Sequence, residues 1–219
     1  MSETILVTGA SAGFGQAICR RLVADGYRVI GAARRLDKLT ALQEELGTAF
    51  FPLQMDVTEP SQVDHALASL PKAWERIDVL VNNAGLALGL APVHEAEIVD
   101  WLTMIQTNII GLTYLTRQIL PQMVERNDGY VINMGSTAGT VPYPGANVYG
   151  ASKAFVKQFS LNLRADLAGK KIRVSNIEPG LCEGTEFSTV RFKGDEKRVE
   201  ALYRDAHAIQ PEDIANTVA

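Results

Sequence analysis

The chain has 219 residues, of which 47% are hydrophobic and 21% charged, proportions typical of one globular domain with a sizeable core. A formal net charge of −4 and the absence of a dense lysine or arginine run argue against binding to nucleic acid or to an anionic membrane. No apolar run approaches the roughly 20 residues of a membrane span, and the amino terminus lacks the basic flank of a signal peptide.

Short strand-like runs alternate with longer helix-like segments along the whole chain. This rhythm predicts a single α/β domain over residues 1–219, with a doubly wound parallel sheet between two layers of helices. The predicted strands are Thr4–Thr8, Arg28–Ala33, Ala49–Met55, Ile77–Asn82, Tyr130–Gly135 and Ile172–Ile177. The predicted helices are Phe14–Asp25, Leu36–Leu46, Ser61–Leu70, Val99–Arg126 and Val148–Leu167, and a further helix begins at Pro211.

The two cysteines, Cys19 and Cys182, lack the spacing of metal ligands. A chain of this size does not need disulfide bonds to stabilise its core. We therefore expect no metal site and a reduced, cytoplasmic setting.

A glycine-rich turn follows the first strand directly and opens into a helix. In such a turn, backbone N–H groups and the helix dipole can bind a diphosphate, although an ordinary strand-to-helix turn is the plain alternative. The turn predicts a dinucleotide-binding site formed by Gly9, Ala10, Ser11, Ala12, Gly13, Phe14 and Gly15.

The second strand ends in Ala32-Ala33-Arg34-Arg35. A dinucleotide enzyme that prefers NAD usually places a carboxylate here, whereas two guanidinium groups can bind the 2′-phosphate of NADP. We therefore predict NADP as the cofactor, with Ser11 as a further ligand of the same phosphate. The alternative is that both arginines are simply solvated at the strand exit.

Polar residues also follow the next strands, at the edge where doubly wound sheets bind ligands. Asp56 and Val57 follow the third strand and Asn83 follows the fourth, so we place all three at the cofactor, although each also suits an ordinary turn. Ser136 follows the fifth strand. It is not centred between glycines as in a nucleophile elbow, so we expect it to hydrogen-bond a substrate carbonyl oxygen.

Tyr149 and Lys153 are four residues apart on a predicted helix, so they lie on the same face one turn apart. A nearby cation favours the phenolate and lowers the pKa of a tyrosine. The pair therefore predicts a general acid/base, against the plain alternative of an exposed helical pair.

Together these motifs resemble the short-chain dehydrogenase/reductase family, in order and spacing, over essentially the whole chain. The residues that carry the resemblance are Thr8–Gly15, Asn82–Gly85, Asn108, Ser136, Tyr149, Lys153, Pro179, Gly180 and Thr185. The resemblance implies a Rossmann-type fold and a nicotinamide cofactor.

The resemblance also implies a role for each matched residue. Tyr149 would transfer the proton, Lys153 would lower its pKa and bind the nicotinamide ribose, and Ser136 would hold the substrate oxygen. Asn108 would sit at a helix irregularity whose water links Lys153 to solvent. The loop along the nicotinamide would contain Pro179, Gly180, Leu181 and Thr185.

Within the family, the sequence is most similar to members that act on the 3-hydroxyl of small acids such as serine, L-allo-threonine and 3-hydroxypropionate, whose oxidised form is malonic semialdehyde. The segment at about 181–195 would form a substrate lid, in which Arg191 or Lys193 binds the substrate carboxylate. The alternatives are a ketone or sugar reductase of the same family, a non-catalytic NADP-binding regulator, and a structural module.

The chain departs from the family pattern at its end, where the family's last parallel strand is absent. The sixth strand is therefore expected to be a sheet edge. The predicted helices Val99–Arg126 and Val148–Leu167 match the family's dimer surface, so we expect a homo-oligomer that is at least a dimer, as tetramers are found in related enzymes.

Overall fold

A computed structural model describes residues 2–204 and 206–219 of the chain. These residues form a six-stranded sheet in which every neighbouring pair is parallel, in the order β3-β2-β1-β4-β5-β6. The strands are β1 Thr4–Thr8, β2 Arg28–Ala33, β3 Phe50–Gln54, β4 Val79–Asn82, β5 Gly129–Met134 and β6 Ile172–Ile177. The predicted Rossmann-type α/β fold is confirmed.

Helices cover both faces of this sheet. They are α1 Gly13–Ala24, α2 Leu36–Leu46, α3 Pro60–Ala68, α4 Ile98–Ile105, α5 Leu112–Arg126, α6 Asn147–Asp166, α7 Phe187–Arg191, α8 Glu196–Tyr203 and α9 Pro211–Val218. One apolar core packs α1, α2 and α9 against the sheet, and a second core packs α3, α5 and α6 against the opposite face.

β1 lies at the centre of the sheet and pairs with β2 on one side and with β4 on the other. The strand order therefore reverses between β1 and β4. In open parallel sheets, ligands bind outside the carboxyl ends of the strands at such a switch point. The fold therefore places the glycine turn after β1 and the polar residues after β4 and β5 around one crevice.

The sequence predicted a single helix over Val99–Arg126, and the structure refines this. Between α4 and α5, residues Gln106–Gly111 form a π-helical segment. Each backbone hydrogen bond there spans one residue more than in an α-helix, so the helix is locally wider. The sequence analysis missed α7 and α8, which lie in and directly after the segment interpreted as a lid loop.

Within the described part of the chain, β6 has one neighbour and forms a sheet edge, as expected from the sequence. Across the same residues, no helix is both long and apolar enough to cross a membrane.

A chain of buried polar side chains ties the centre of the sheet to α5 and α6. Asn82 donates to Thr116 on α5 and to Asn133 on β5, each at 2.9 Å. Asn133 in turn donates to Ser160 on α6 at 2.9 Å. Because these groups are almost completely buried, each needs its partner, and together they fix both helices relative to the crevice.

We predict that Asn133→Ala lowers the free energy of unfolding by about 1–3 kcal/mol, since it leaves the buried amide of Asn82 and hydroxyl of Ser160 short of a partner. Urea denaturation measures the change. Asn162→Ala, on the exposed side of α6, is the matched control and should stay within about 0.5 kcal/mol of the starting protein. Equal effects of the two substitutions would contradict a stabilising role for the network.

Candidate active site

A cleft of about 750 Å³ lies at the carboxyl edge of the sheet. Its walls are the glycine turn after β1, the exits of β2 to β5, the start of α6, and the segment that follows β6. Among the residues predicted for the cofactor, the cleft is lined by Gly9, Ser11, Ala12, Gly13, Phe14, Arg34, Arg35, Asp56, Val57, Asn83, Tyr149, Lys153, Pro179, Gly180, Leu181 and Thr185.

Two predicted residues of the glycine turn, Ala10 and Gly15, are not part of the cleft wall. Gly15 is needed underneath it, because a Cβ atom there would lie 2.2 Å from the carbonyl oxygen of Gly9. Gly9 itself has φ +69°, and a Cβ atom would lie 2.9 Å from the side-chain nitrogen of Asn83. The turn therefore stays close to the strand exits and leaves its backbone open to a ligand.

Thr8 fixes the neighbouring turn after β4. Its hydroxyl accepts hydrogen bonds from the backbone N–H groups of Asn83 and Ala84, at 3.0 and 2.9 Å. The Asn83 side chain donates back to the Thr8 carbonyl at 2.8 Å. Asn83 therefore braces the two strand exits, and its polar groups contribute to the cleft wall from a fixed position.

Arg34 and Arg35 both line the cleft at the end of β2. Arg35 donates to the hydroxyl of Ser11 at 3.1 Å and to the carboxylate of Glu186 at 2.9 Å. The structure thus joins Arg35 and Ser11, two of the three residues predicted to bind a 2′-phosphate, and adds an acid, Glu186, that the sequence did not predict there. The carboxylate of Asp56, also in the cleft wall, accepts hydrogen bonds from the backbone N–H and the hydroxyl of Thr58.

Tyr149 and Lys153 both face the cleft, and both are buried. The Lys153 ammonium lies 5.9 Å from the centre of the Tyr149 ring and donates to the carbonyl of Met134, at the end of β5, at 2.9 Å. Burial lowers the pKa of Lys153 to about 8, so its charge is held less firmly than that of an exposed lysine.

The pKa of Tyr149 differs from the sequence-based expectation. Burial raises it above the usual value, and the neighbouring Tyr143 adds to this, while the hydroxyl of Ser136 and the guanidinium of Arg191 lower it. Burial has the largest effect because a phenolate loses its hydration in an apolar pocket. The cation that opposes the rise is Arg191 rather than Lys153.

Ser136 begins a short 3₁₀ turn at the exit of β5, where its hydroxyl accepts from the Ala138 N–H at 3.2 Å. It also donates weakly to the Pro179 carbonyl, at 3.4 Å. Ser136 and Tyr149 therefore present their hydroxyls to one part of the cleft, where both can contact a substrate oxygen.

Asn108 lies in the π-helical segment and points inward, although asparagine in mid-helix usually faces solvent. Its side chain bonds both backbone groups of Leu86 at 2.9 Å and the Ser152 hydroxyl at 3.0 Å. A Cβ atom on Gly85 would lie 3.3 Å from both the side-chain amide oxygen of Asn108 and the Lys153 ammonium. Asn108 is thus adjacent to Lys153 but behind the cleft wall.

The segment after β6 covers the cleft. Pro179, Gly180, Leu181 and Thr185 line it before α7 begins, and the Phe187 ring contacts Tyr149 edge to face, with ring centres 5.8 Å apart. From α8, Tyr203 also reaches the cleft and donates to the Cys182 carbonyl at 2.7 Å. These contacts hold α7 over the tyrosine.

Arg191, at the end of α7, is the candidate carboxylate ligand that the structure brings into the cleft. It is only 8% exposed, and it donates to the Gly89 carbonyl at 3.2 Å and to the Tyr143 hydroxyl at 3.0 Å. Its guanidinium lies 5.5 Å from the centre of the Tyr149 ring. Its Nη2 nitrogen is buried without a hydrogen-bond partner among the described residues, which is costly unless a ligand supplies one.

The structure does not bring Lys193, the other candidate, to the cleft. Its ammonium pairs with Asp100 at 2.8 Å and belongs to the wall of a second, smaller pocket. Only Phe192 separates the two residues, yet the Lys193 side chain extends to Asp100 on α4 rather than into the cleft. Lys193 holds this segment against α4 rather than facing a substrate.

Glu186, Phe187, Tyr143 and Tyr203 line the cleft and were missed by the sequence analysis. All four lie in irregular or short elements, and their neighbours in space are far away in sequence. Only the long, mixed segment after β6 signalled that further site residues could lie there. Across the described residues, no group of three or more histidine, cysteine, aspartate or glutamate side chains is placed to hold a metal ion.

Comparisons with known proteins agree with this geometry. A family model described as short chain dehydrogenase matches residues 3–196. A probable NADP-dependent dehydrogenase of Haemophilus influenzae is 59% identical over 217 residues, which cover 99% of this chain and 86% of the relative. An NADP-dependent 3-hydroxy acid dehydrogenase of Escherichia coli K12 is 56% identical over 214 residues, covering 98% and 86%.

Among solved structures, the closed form of a serine dehydrogenase complexed with NADP+ superposes with a TM-score of 0.97 at 56% identity. The match covers 98% of this chain and 87% of that one. The family model covers most of the sequence, and the fold agrees with that of the solved structure. The chain belongs to the short-chain dehydrogenase/reductase family.

Proposed function

We propose that this protein is an NADP-dependent oxidoreductase that transfers a hydride between the 3-hydroxyl carbon of small 3-hydroxy acids and the nicotinamide. The observation that carries the proposal is the unpartnered nitrogen of buried Arg191, beside the Tyr149 ring in the cleft. A cation next to the proton-transfer group suits a substrate whose reacting alcohol is close to a carboxylate. The names of two relatives, a 3-hydroxy acid dehydrogenase and a serine dehydrogenase, support this substrate class.

The residues of the cleft fit a dinucleotide with a 2′-phosphate. The glycine turn leaves its backbone N–H groups open to a diphosphate, and Arg35 with Ser11 supplies donors for the 2′-phosphate, with Arg34 beside them. The loop of Pro179, Gly180, Leu181 and Thr185 would lie along the nicotinamide. Asp56, Val57 and Asn83 would flank the adenosine portion. When bound, the nicotinamide accepts or gives the hydride.

Tyr149 moves the proton in this proposal. In alcohol oxidation its phenolate oxygen takes the proton of the substrate hydroxyl, and in the reverse direction the phenol returns it. Ser136 donates a hydrogen bond to the same substrate oxygen and stabilises the charge that develops there. Lys153 binds the nicotinamide ribose, and Asn108 lies near Lys153 behind the cleft wall.

Arg191 binds the substrate carboxylate with its free nitrogen. The Gly89 carbonyl and the Tyr143 hydroxyl hold the guanidinium, so the donor is oriented before substrate arrives. The segment at about 181–195 acts as the lid, because it carries Arg191 and places Phe187 against Tyr149. A ketone or sugar reductase of the same family would have no use for a buried cation at this place.

We extend the proposal to a homo-oligomer. Large apolar side chains are exposed on α4 and on α6, the helices predicted to form a dimer surface. They are Ile98, Val99 and Leu102 on α4, and Phe155 and Leu161 on α6. A second copy of the chain is the partner that such a self-complementary surface suits. The cytoplasmic location expected from the sequence stays a prediction.

Tyr149→Phe should reduce kcat for 3-hydroxypropionate oxidation by at least about 10³-fold, because it removes the group that takes the proton. NADPH absorbance follows the reaction, and quenching of protein fluorescence checks that NADP still binds. The control is Tyr114→Phe, which removes a hydroxyl bonded to Asp64 outside the cleft and should leave kcat unchanged. Substantial activity of Tyr149→Phe would refute the mechanism.

Arg191→Gln should raise the KM for 3-hydroxypropionate by about 10- to 100-fold, since the charged hydrogen bond to the carboxylate is lost. The methyl ester of the same substrate has no carboxylate, so its KM should change less than the KM of the acid. Lys193→Gln is the control, because that side chain pairs with Asp100 outside the cleft. A KM for the acid that is insensitive to Arg191→Gln would place the carboxylate elsewhere.

Arg191→Gln should also shift the pH dependence of kcat/KM for the methyl ester. Arg191 lowers the pKa of Tyr149, so removing its charge raises that pKa. Because oxidation needs the phenolate, the rising limb of the profile should move to higher pH. Lys193→Gln removes the same charge nearby and should leave the limb in place; a limb that moves equally in both variants would show a general charge effect.

A further inference from the structure

The guanidinium of Arg35 is shared between two groups in this structure. Its Nε and Nη2 nitrogens donate to the Ser11 hydroxyl at 3.2 and 3.1 Å. Its Nη1 and Nη2 nitrogens donate to the two carboxylate oxygens of Glu186 at 3.3 and 2.9 Å. Both donor edges of the guanidinium are therefore engaged at the place where a 2′-phosphate is proposed to bind.

Glu186 comes from a distant part of the chain, 151 residues after Arg35. It lines the cleft directly before α7, so the ion pair connects the exit of β2 to the segment that covers the cleft. The pair is half exposed, with 42% of the arginine and 55% of the glutamate side chain accessible. An exposed pair of this kind is held weakly and can be displaced at little cost.

A phosphate and a carboxylate compete for the same arginine donors. A 2′-phosphate that binds Arg35 takes donors from Ser11 or from Glu186, and a carboxylate that stays nearby repels the phosphate charge. A 2′-hydroxyl, as in NAD, carries no charge, so the Glu186 carboxylate does not repel it and it does not need the arginine donors. Glu186 therefore acts on ligands with a 2′-phosphate and not on those without one.

We propose that Glu186 is a specificity-determining residue that competes with the 2′-phosphate for the donors of Arg35. The proposal rests on Arg35 as the phosphate ligand in the proposed function. In this role Glu186 weakens the binding of 2′-phosphorylated nucleotides. It also ties the start of the lid to the exit of β2 until such a nucleotide binds.

The test is the calorimetric titration of the full, coenzyme-free chain with adenosine 2′,5′-bisphosphate and, separately, with 5′-AMP. Glu186→Gln should tighten binding of the bisphosphate by about two- to fivefold and leave 5′-AMP unchanged. Glu186→Asp keeps the charge and should bind the bisphosphate less tightly than Glu186→Gln. The matched control is Glu44→Gln on the exposed side of α2, which makes the same change in net charge away from the cleft.

Arg35→Ala completes a double-mutant cycle and separates the two proposals. It should weaken the bisphosphate selectively, and in this background Glu186→Gln should have no further effect. If Arg35→Ala leaves bisphosphate binding intact, the 2′-phosphate site itself is wrongly placed and both proposals fall. If Arg35→Ala weakens binding but Glu186→Gln weakens it too, leaves it unchanged, or shifts 5′-AMP equally, only the role of Glu186 is overturned.

Discussion

The site depends on the burial of a lysine and a tyrosine together at the carboxyl edge of the sheet. Lys153 is held there by the carbonyl at the end of β5, which is one of the few acceptors a buried ammonium can reach. Burial lowers its pKa and raises that of Tyr149, so both groups are pushed toward their neutral forms. Any proton transfer at Tyr149 therefore depends on the polar groups placed around it, which are Ser136 on the sheet side and Arg191 on the lid side.

The sheet side and the lid side of Tyr149 are built differently. Behind the cleft, buried hydrogen bonds join β4 and β5 to α5 and α6, and Asn108 in the π-helical segment is bonded on three sides. In front, the segment after β6 is held by two ion pairs: Arg35 with Glu186, which is half exposed, and Lys193 with Asp100, whose carboxylate is largely covered. The rear wall is thus fixed by buried hydrogen bonds, whereas the front is held in part by side chains that are open to solvent.

The features that could be predicted from the sequence are those that depend on residues close together in the chain. Strand runs, the glycine turn and the spacing of Tyr149 and Lys153 are set by neighbours in sequence, so the sheet and the residues on its rim followed from them. The choice between Arg191 and Lys193 could not follow, because it depends on how a five-residue helix is turned by contacts with Gly89 and Asp100. The expected lowering of the Tyr149 pKa was wrong, since spacing along a helix does not report burial.

Arg191 has two roles that oppose each other, and this bears on the direction of the reaction. Without substrate, its charge lowers the pKa of Tyr149 and favours the phenolate. A bound carboxylate offsets that charge, so the pKa of Tyr149 rises and the phenol keeps its proton. A protonated Tyr149 is the form that delivers a proton to a carbonyl oxygen. In the proposed function, binding of an acidic substrate through Arg191 therefore prepares the site for reduction of a carbonyl acid, and oxidation of the corresponding hydroxy acid gains from higher pH.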